Sequence, residues 1–594
     1  MKKKISFSII PAVLLCGILP FIVRLHMENI DLWNYPWFPN QSQWGDFFLH
    51  GKMQLILGIS IVAAVILLDT LLVKNEKIVF SKSWFLLMAY GILCLISAIF
   101  SEYKKISFSG GIEQYESVWV LLSYCLICCY GFYVAKKKEN IQAISAILVV
   151  VCILLGILGI SQLFHKDLLG MSVMQNLLVP ESLAEYREKI QFNFSQESVK
   201  SVYMTFYNPN YAGVFSGMMI PMLIGILSLG SKKWMQIVAG IAVVLQLICL
   251  IGSGSKSGIA ALIIVGVVWG IILCICDRKK WKVVLPVAVV TVLLWTGYDF
   301  TLGNHSIRAF VEGFSSSERD YGLENIRVNR DKVQVTFRGE QFSFWQEKQE
   351  GGIALYLADG TGELMAYEYN SETNVCEPKK EELQGISLGC YEKEGIPYVF
   401  MEYKELRWLF TNATEDRGYT YITLYGKPDK IEKAATCFST AFDGLFTYRG
   451  YIWNRTIPLL KKHILVGSGP DTFLMTFPQN DYVERAGAKK GFFTEILTRP
   501  HNMYLQIALQ TGVLSLICVI GFVGTILYSA VKKMKSYKKT EWNSVEAKML
   551  ATIFGGIVVY LIAGIANDST VVVAPFFWLF LGIMAGLGNQ QKVN

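Results

Sequence analysis

Charged residues are scarce in this chain of 594 residues: Asp, Glu, Lys and Arg make up 17% of it, against 53% hydrophobic residues. The mean hydropathy is +0.39. Apolar runs near the length of about 20 residues that crosses a bilayer recur along the chain, and such runs must be helical because lipid offers no hydrogen-bond partners. The formal charge of +8 then requires no nucleic-acid partner, because most Lys and Arg residues flank these runs.

Metal-binding and disulfide patterns are also missing. Most of the 13 cysteines lie in apolar runs, where cysteine behaves as a small hydrophobic residue. Only Cys376, Cys390 and Cys437 lie in soluble sequence, and their odd number gives weak grounds for a disulfide. No H-E-x-x-H motif, external D-x-D motif or carboxylate cluster is present, so we predict no metal and no cofactor.

We expect an all-α polytopic membrane protein of about twelve transmembrane helices, with a small extracellular β-rich insert. The first segment has the basic start of a signal peptide but no A-x-A-like cleavage site, and we interpret it as an uncleaved span. The expected spans are 5–23, 51–73, 84–100, 117–135, 141–164, 210–229, 235–252, 258–276, 283–300, 502–531, 549–567 and 570–588.

Short basic connections give these spans a consistent orientation. "KNEKIVFSK", "KKKEN", "GSKKW", "DRKKWK" and "KKMKSYKK" would all face the cytoplasm if the N-terminus lies inside. Positive residues favour the cytoplasmic side. We therefore expect both termini to be cytoplasmic and the long segment between the ninth and tenth spans to be extracellular.

Five regions follow from this topology. Alternating stretches such as "VQVTFRGEQFSFW", and a D-G turn between two such runs, predict hairpins in the insert. The regions are spans one to nine (1–300), a connector (301–324), the β-rich insert (325–430), an outer loop with Arg and G-x-G motifs (431–500), and spans ten to twelve (501–594).

Polar residues at the outer span ends are difficult to explain by packing alone. Each could be an ordinary helix cap or loop residue, but polar groups at membrane depth usually line a cavity or pathway. We expect them to share one outer site. They are Glu116, Asn208, Asn210, Lys256, Arg449, Arg499, His501 and Asp568.

This assortment suits a phosphate-bearing leaving group. Cations and the glycine-rich turns "GSGSKSG" and "VGSGPDTF" can bind phosphate oxygens, since glycine allows close approach of backbone N–H groups. A single histidine suits proton transfer to or from a hydroxyl. The residues therefore indicate a phosphate ester or pyrophosphate leaving group and a hydroxyl nucleophile.

Four stretches, in order, make the chain resemble the O-antigen ligase and polymerase superfamily of bacterial membrane glycosyltransferases. They are "TFYNPNYAGVFSGMMIP", "LIGSGSKSGIAALII", "YRGYIWNRTIPLLKKHILVGSGPDTF" and "RPHNMYLQIALQTGVLSL", with "QYESVWVLLSY" as a weaker fifth. The resemblance covers the membrane part and not the 325–430 insert. Lys256 stands where the family usually has arginine, so its charge is kept but the bidentate fork is lost.

The resemblance implies transfer of a glycan from an undecaprenyl-diphosphate carrier to an acceptor on the outer face of the bacterial cytoplasmic membrane, without a metal. It implies that His501 orients or deprotonates the acceptor hydroxyl, with inversion at the anomeric carbon, and that Arg449 and Lys256 hold the diphosphate. Arg499 or Arg455 would compensate for the lysine, and Asn208, Asn210 and Glu116 complete the expected substrate site.

Several alternatives stay open. A ligase and a polymerase differ in the acceptor, which is another lipid-linked glycan or a distinct lipid, teichoic-type polymer or protein. A lipid-linked glycan transporter or flippase would need ionisable residues near span midplanes or internal repeats, and neither is evident. A membrane anchor that displays the insert as a binding module would leave His501 and Arg449 unexplained.

Overall fold

A computed structural model describes residues 7–589 except 77–80, 188–200, 230–231, 277–295, 297–320, 350–351, 373, 414–417, 489–491 and 539. The expected span at 283–300, apart from Thr296, and most of the connector lie outside the described residues. The described part is mostly helical, with β-sheet concentrated between Leu323 and Asp429.

Apolar helices form the larger part of the molecule. The helices are α1 (Phe7–Phe21), α2 (His50–Val73), α3 (Trp84–Phe100), α4 (Lys104–Ser109), α5 (Val118–Val134), α6 (Lys138–Leu163), α7 (Ser172–Leu178), α8 (Pro209–Leu229), α9 (Lys233–Gly252), α10 (Lys256–Cys276), α11 (Leu445–Leu459), α12 (Phe473–Thr476), α13 (Tyr482–Ala488), α14 (Met503–Thr511), α15 (Val513–Ser536), α16 (Val545–Ala563) and α17 (Ala574–Asn589). Six of them, α2, α6, α8, α9, α15 and α16, are long and apolar enough to cross a membrane. Shorter apolar helices are α1, α3, α5, α10 and α17.

The single span expected at 502–531 is wrong, because the structure divides it into α14 and α15. Gly512 separates the two helices with φ of +103°, a conformation that side-chain-bearing residues rarely adopt. A Cβ at this position would also lie 2.9 Å from the Leu465 carbonyl oxygen. The short helix α14 therefore carries the residues that follow His501, and α15 alone is long enough to span.

The helices share one apolar core. α5 packs along α17, and α8 packs against α9, α10 and α16. Asn208 caps the start of α8 by accepting a hydrogen bond from Asn210 N at 2.8 Å, and Pro209 occupies the first helical position. Hydrogen bonds join the polar segments at the starts of α5, α8, α10 and α17, and the candidate site lies at this end of the bundle.

The strands form three antiparallel sheets. They are β1 (His26–Asn29), β2 (Gln43–Asp46), β3 (Leu323–Val328), β4 (Val333–Phe337), β5 (Glu340–Gln349), β6 (Gly352–Asp359), β7 (Tyr367–Asn370), β8 (Val375–Pro378), β9 (Ser387–Lys393), β10 (Ile396–Tyr403), β11 (Leu406–Thr411), β12 (Thr420–Ile422) and β13 (Pro428–Asp429). β1 pairs with β2, β3 to β6 form a meander in that order, and β7 to β13 form a seven-stranded meander.

The two larger sheets enclose a separate apolar core that also includes residues of the 431–500 segment. Tyr482 and Ala486 on α13, together with Phe493, pack into this core. Trp408 on β11 contacts Phe493 edge-on, with ring centroids 5.1 Å apart. The β-rich insert is thus packed against the loop that leads to His501.

Candidate functional site

The centre of the candidate site is a histidine–carboxylate pair. His501 Nδ1 lies 3.0 Å from Asp568 Oδ2, and the His501 side chain is 36% exposed while that of Asp568 is fully buried. Burial acts to raise the pKa of Asp568, but His501, Arg499 and Arg449 together hold it below its usual value. Asp568 is therefore a buried carboxylate that orients the imidazole and leaves Nε2 for another partner.

Backbone contacts fix the histidine in this orientation. His501 has φ of +51°, an uncommon value for a residue with a side chain. Trp453 Nε1 donates to the Pro500 carbonyl at 3.0 Å, and Asn502 N donates to Asp568 Oδ1 at 3.2 Å. The Asn502 side chain also caps α14 by accepting from two backbone N–H groups. The contacts on both sides of His501 maintain its left-handed backbone.

Arg449 and Lys256 are the cations beside this pair. Arg449 lies close enough to Asp568 and Tyr211 for their charges to oppose the lowering of its pKa by burial. Lys256, the first residue of α10, is close enough to Arg449 for the two positive charges to interact. Arg449 donates to the Phe446 carbonyl at 3.1 Å, but its buried Nε has no hydrogen-bond partner among the described residues. The arginine therefore retains donor capacity.

The segment before Arg449 is backbone-strained. Phe446, Thr447 and Tyr448 have φ of +51°, +60° and +65°, although none is glycine. Such conformations cost roughly 1–3 kcal/mol each and persist where the surroundings impose them. Here, the strained carbonyl of Phe446 is the one that accepts from Arg449.

A hydrogen bond joins the connection that carries Asp568 to the turn that carries Lys256. Asn567 Nδ2 donates to Ser257 Oγ at 2.5 Å, and Ser255 Oγ in the same turn donates to the Asn210 carbonyl at 3.3 Å. These hydrogen bonds place the segments that carry Asn210, Lys256 and Asp568 next to one another. Asn208 is occupied as the cap of α8, whereas no hydrogen bond engages the Asn210 side chain within the described part of the chain.

Arg499 is part of an internal ion pair. Its Nη2 lies 2.9 Å from Glu113 Oε2, its Nη1 donates to the Tyr211 hydroxyl, and the residue is 5% exposed. Thr498 Oγ1 donates to the same Glu113 oxygen at 2.7 Å. Although burial alone would raise the pKa of Glu113, the Arg499 charge lowers it. These contacts favour a role for Arg499 in holding the "TRPH" segment.

Glu116 lies behind the histidine pair in a buried polar cluster. Its Oε1 accepts from the Tyr124 and Ser569 hydroxyls, each at 2.8 Å, and its Oε2 accepts from Gln506 at 3.0 Å. Burial, with a smaller contribution from Asp568, raises the pKa of Glu116 to about 7. The cluster links α5, α14 and the 566–570 connection beneath His501.

The turn "VGSGPDTF" is an internal packing element. Gly467 is buried, and a Cβ there would lie 2.2 Å from the Gln510 carbonyl oxygen. Asp471 in the same turn accepts from Gly111 N at 2.5 Å and from Glu116 N at 3.1 Å, and burial raises its pKa to about 8. The close approach of this turn to the backbone at Gln510 explains why glycine is needed at position 467, so the glycine pattern does not require a bound phosphate.

Arg455 belongs to a second charged cluster. Its guanidinium lies 3.0 Å from Asp443, 2.5 Å from Asp481 and 3.3 Å from Glu484, with no side-chain exposure. The guanidinium also stacks on Tyr451 at 3.8 Å from the ring centroid. These partners occupy the guanidinium, so the geometry favours a structural role over the diphosphate contact suggested from the sequence.

Two side-chain contacts of the site could not be predicted from the sequence. Asp568 stood out as a polar residue at a span end, but nothing in its local pattern indicated that it pairs with His501, 67 residues away. Glu113, the partner of Arg499, lies 386 residues from it and carries no recognisable signal. The contact of Trp453 with Pro500 gives a physical reason for a tryptophan four residues after Arg449.

Residues 409–520 match the family model described as O-antigen ligase. The matched segment contains Arg449, Asp471, Arg499 and His501, and it begins within β11, so it includes the end of the insert. No curated protein and no solved structure matches the chain. The match supports the O-antigen ligase superfamily, a family of membrane glycosyltransferases of ligase or polymerase type.

Proposed function

We propose, taking the O-antigen ligase superfamily as the family of this chain, that the protein transfers a glycan from an undecaprenyl-diphosphate carrier to an acceptor hydroxyl. The observation that carries the proposal is the His501–Asp568 pair at 3.0 Å, with Arg449 near Asp568 and Lys256 near Arg449. A base and positive charges are the groups that a hydroxyl nucleophile and a diphosphate leaving group require.

In the proposed reaction, His501 Nε2 accepts the proton of the acceptor hydroxyl as its oxygen attacks the anomeric carbon. The new C–O bond forms on the face opposite the diphosphate, so the configuration inverts. The bond between the anomeric carbon and the diphosphate oxygen breaks, and its electron pair stays on the diphosphate. Asp568 stabilises the resulting imidazolium, while Arg449 and Lys256 neutralise the developing negative charge.

The donor requires a site at the outer surface of the bacterial cytoplasmic membrane. The apolar helices α1–α3, α5, α6, α8–α10 and α15–α17, with the apolar segment 283–300, supply the proposed twelve spans. The basic connections favour cytoplasmic termini. On this topology the 325–430 insert, the 431–500 loop and His501 are extracellular, where a lipid-linked glycan and its acceptor meet.

A reconstituted transfer assay tests the proposal. The protein in sealed lipid vesicles receives undecaprenyl-diphosphate glycan, and product is measured with and without chelator, because the proposed chemistry uses no metal. A second lipid-linked glycan in one arm and a distinct lipid, teichoic-type polymer or protein acceptor in the other separate a polymerase from a ligase. Transfer that survives chelation supports the proposal, whereas movement of intact donor across the bilayer without transfer would identify a flippase.

A further inference from the structure

The outer face of the seven-stranded sheet carries an aromatic strip that the transfer reaction does not use. Along β10, Val399 and Met401 point into the insert core, so Tyr398 and Phe400 lie on the opposite face, where Tyr398 is partly exposed and Phe400 is buried with 6% exposure. Tyr398 is directly opposite Tyr391 of β9, and their rings stack with centroids 5.2 Å apart and an interplanar angle of 20°. Tyr391 also lies 6.2 Å from the Phe400 ring.

The register places these side chains in rows across the sheet. Tyr391, Tyr398 and Thr411 form one row, and Phe400 and Leu409 lie in the next. Arg407 and Glu402 form a third row, with the guanidinium 4.5 Å from the Phe400 ring centroid and 2.6 Å from the carboxylate. We call this surface, made of Tyr391, Tyr398, Phe400, Leu409, Thr411, Glu402 and Arg407, the tyrosine platform.

The tyrosine hydroxyls of the platform are able to form hydrogen bonds with a ligand. The Tyr391 and Tyr398 side chains are partly exposed, and no hydrogen bond engages their hydroxyls within the described part of the chain. The charges of Arg407 and Glu402 are balanced against one another. The platform therefore offers two partly exposed tyrosine rings, their hydroxyls and a neutral charge pair at one surface.

We propose that the tyrosine platform binds the glycan chain handled by the enzyme. Sugar rings present apolar C–H faces that cover an aromatic ring and hydroxyls that hydrogen-bond to side chains such as tyrosine, glutamate and arginine. The lack of net charge disfavours a nucleic acid, which requires a positive surface. A stable protein partner would need about 800 Å² per side, whereas two tyrosine side chains supply at most about 500 Å². The identity of the glycan as substrate rests on the proposed function.

The insert contains a matched control for this proposal. On the other sheet, Trp345 of β5 lies opposite Tyr356 of β6, and their rings stack 5.5 Å apart with an interplanar angle of 11°. This pair makes a similar cross-strand contact, but Glu347 accepts from Trp345 Nε1 and Tyr356 OH accepts from Gln349. If aromatic pairs on this insert only stabilise strands, both pairs should behave alike.

The test measures binding of envelope polysaccharide to the full-length protein in nanodiscs. The probe is polysaccharide released by mild acid from the envelope of the encoding bacterium and end-labelled with a fluorophore, and dextran serves as the control polymer. We expect Tyr391→Thr with Tyr398→Thr to weaken binding roughly tenfold or more, and Trp345→Thr with Tyr356→Thr to change it less than twofold. Threonine keeps the strand propensity at all four positions.

Phenylalanine variants keep the assay informative if the threonine variants unfold. Tyr391→Phe with Tyr398→Phe retains the rings and removes both free hydroxyls, so we expect an intermediate loss of binding with an unchanged unfolding temperature. Equal binding by the wild type and both tyrosine variants would overturn the proposal, as would equal losses from the two aromatic pairs or capture of a protein in place of the polysaccharide. Binding without transfer in the wild type would instead contradict the proposed function and leave the platform standing.

Discussion

Arg449 and Arg455 lie six residues apart on α11, and the structure gives them opposite environments. Arg455 has no exposed side-chain surface and contacts three carboxylates. Arg449 has a buried Nε without a partner among the described residues and lies near the charges of Lys256 and Asp568. The same side chain on one helix thus has two different roles. Arg455 belongs to a structural ion cluster, whereas Arg449 keeps a hydrogen-bond donor that is unpaired within the described part of the chain.

A cation with unpaired hydrogen-bond donors can bind a substrate, whereas a cation whose donors are all paired within the protein can only stabilise the fold. A buried ion cluster whose charges are paired costs stability when it is broken but offers nothing to a substrate. The cluster around His501 instead combines two cations, a partly exposed imidazole and a single buried carboxylate.

Among the residues that support His501, Asp568→Asn should have the largest effect on activity, because the amide leaves His501 without its carboxylate. Loss of such an orienting carboxylate lowers kcat by about 10⁴-fold in a serine protease, and we expect a decrease of about 10²–10⁴-fold here. Asp31→Asn, an exposed aspartate paired with Lys105, is the matched control. A rate within twofold of the wild type for Asp568→Asn would show that the pair is only a packing contact.

Arg455→Ala should act on stability. Removing one partner from a buried ion cluster leaves uncompensated charge and costs about 3–5 kcal/mol, so we expect a large drop in unfolding temperature and little folded protein. Thermal unfolding in nanodiscs measures the effect. A stable Arg455→Ala protein with a selective loss of transfer would reverse the structural assignment and return this arginine to the substrate site.

Arg449→Ala should give the complementary result. We expect transfer to fall by about 10²–10³-fold, the usual cost of losing one donor to a developing charge, while the unfolding temperature changes little. Arg449→Lys should recover part of the rate, because the charge returns without the forked donor. The comparison fails if Arg449→Ala unfolds as readily as Arg455→Ala.

The smallest effect concerns pH and the Glu116 cluster. The pKa of Glu116 is raised to about 7 in the folded protein, so the folded state holds a proton that the unfolded state has lost above its ordinary pKa near 4.3. Stability should therefore decrease as pH rises from about 5 to 8. Glu116→Gln should flatten this slope, and Asp471, with a pKa of about 8, should preserve part of it. An identical slope in both proteins would exclude Glu116 as a source.

Hydropathy predicts the apolar helices because their length and composition are local properties. α3 occupies 84–100, as expected from the sequence, and α8 begins one residue before its expected start. The break at Gly512 is missed because apolar residues continue on both sides of it. Alternation indicates hairpins such as β5–β6, but it cannot determine that the strands divide into a four-stranded and a seven-stranded sheet.

The site was predictable as a set of residues but not as a set of contacts. Polar residues at outer span ends pointed to His501, Arg449 and Lys256, and the structure brings these together near Asp568. The sequence alone did not show that Arg455 is already paired, because the carboxylates that contact it come from positions 443, 481 and 484 through tertiary packing. Pairing across the fold determines which cation is available.

Transfer by His501→Ala is the most direct test of the central claim that the imidazole acts on the acceptor hydroxyl. His165→Ala, an exposed histidine outside the site, is the control, and binding of undecaprenyl-diphosphate glycan is measured in parallel. We expect His501→Ala to lose at least about 10²-fold in transfer rate while it still inserts and binds donor, and His165→Ala to remain active. Wild-type transfer by the His501→Ala protein would contradict the account.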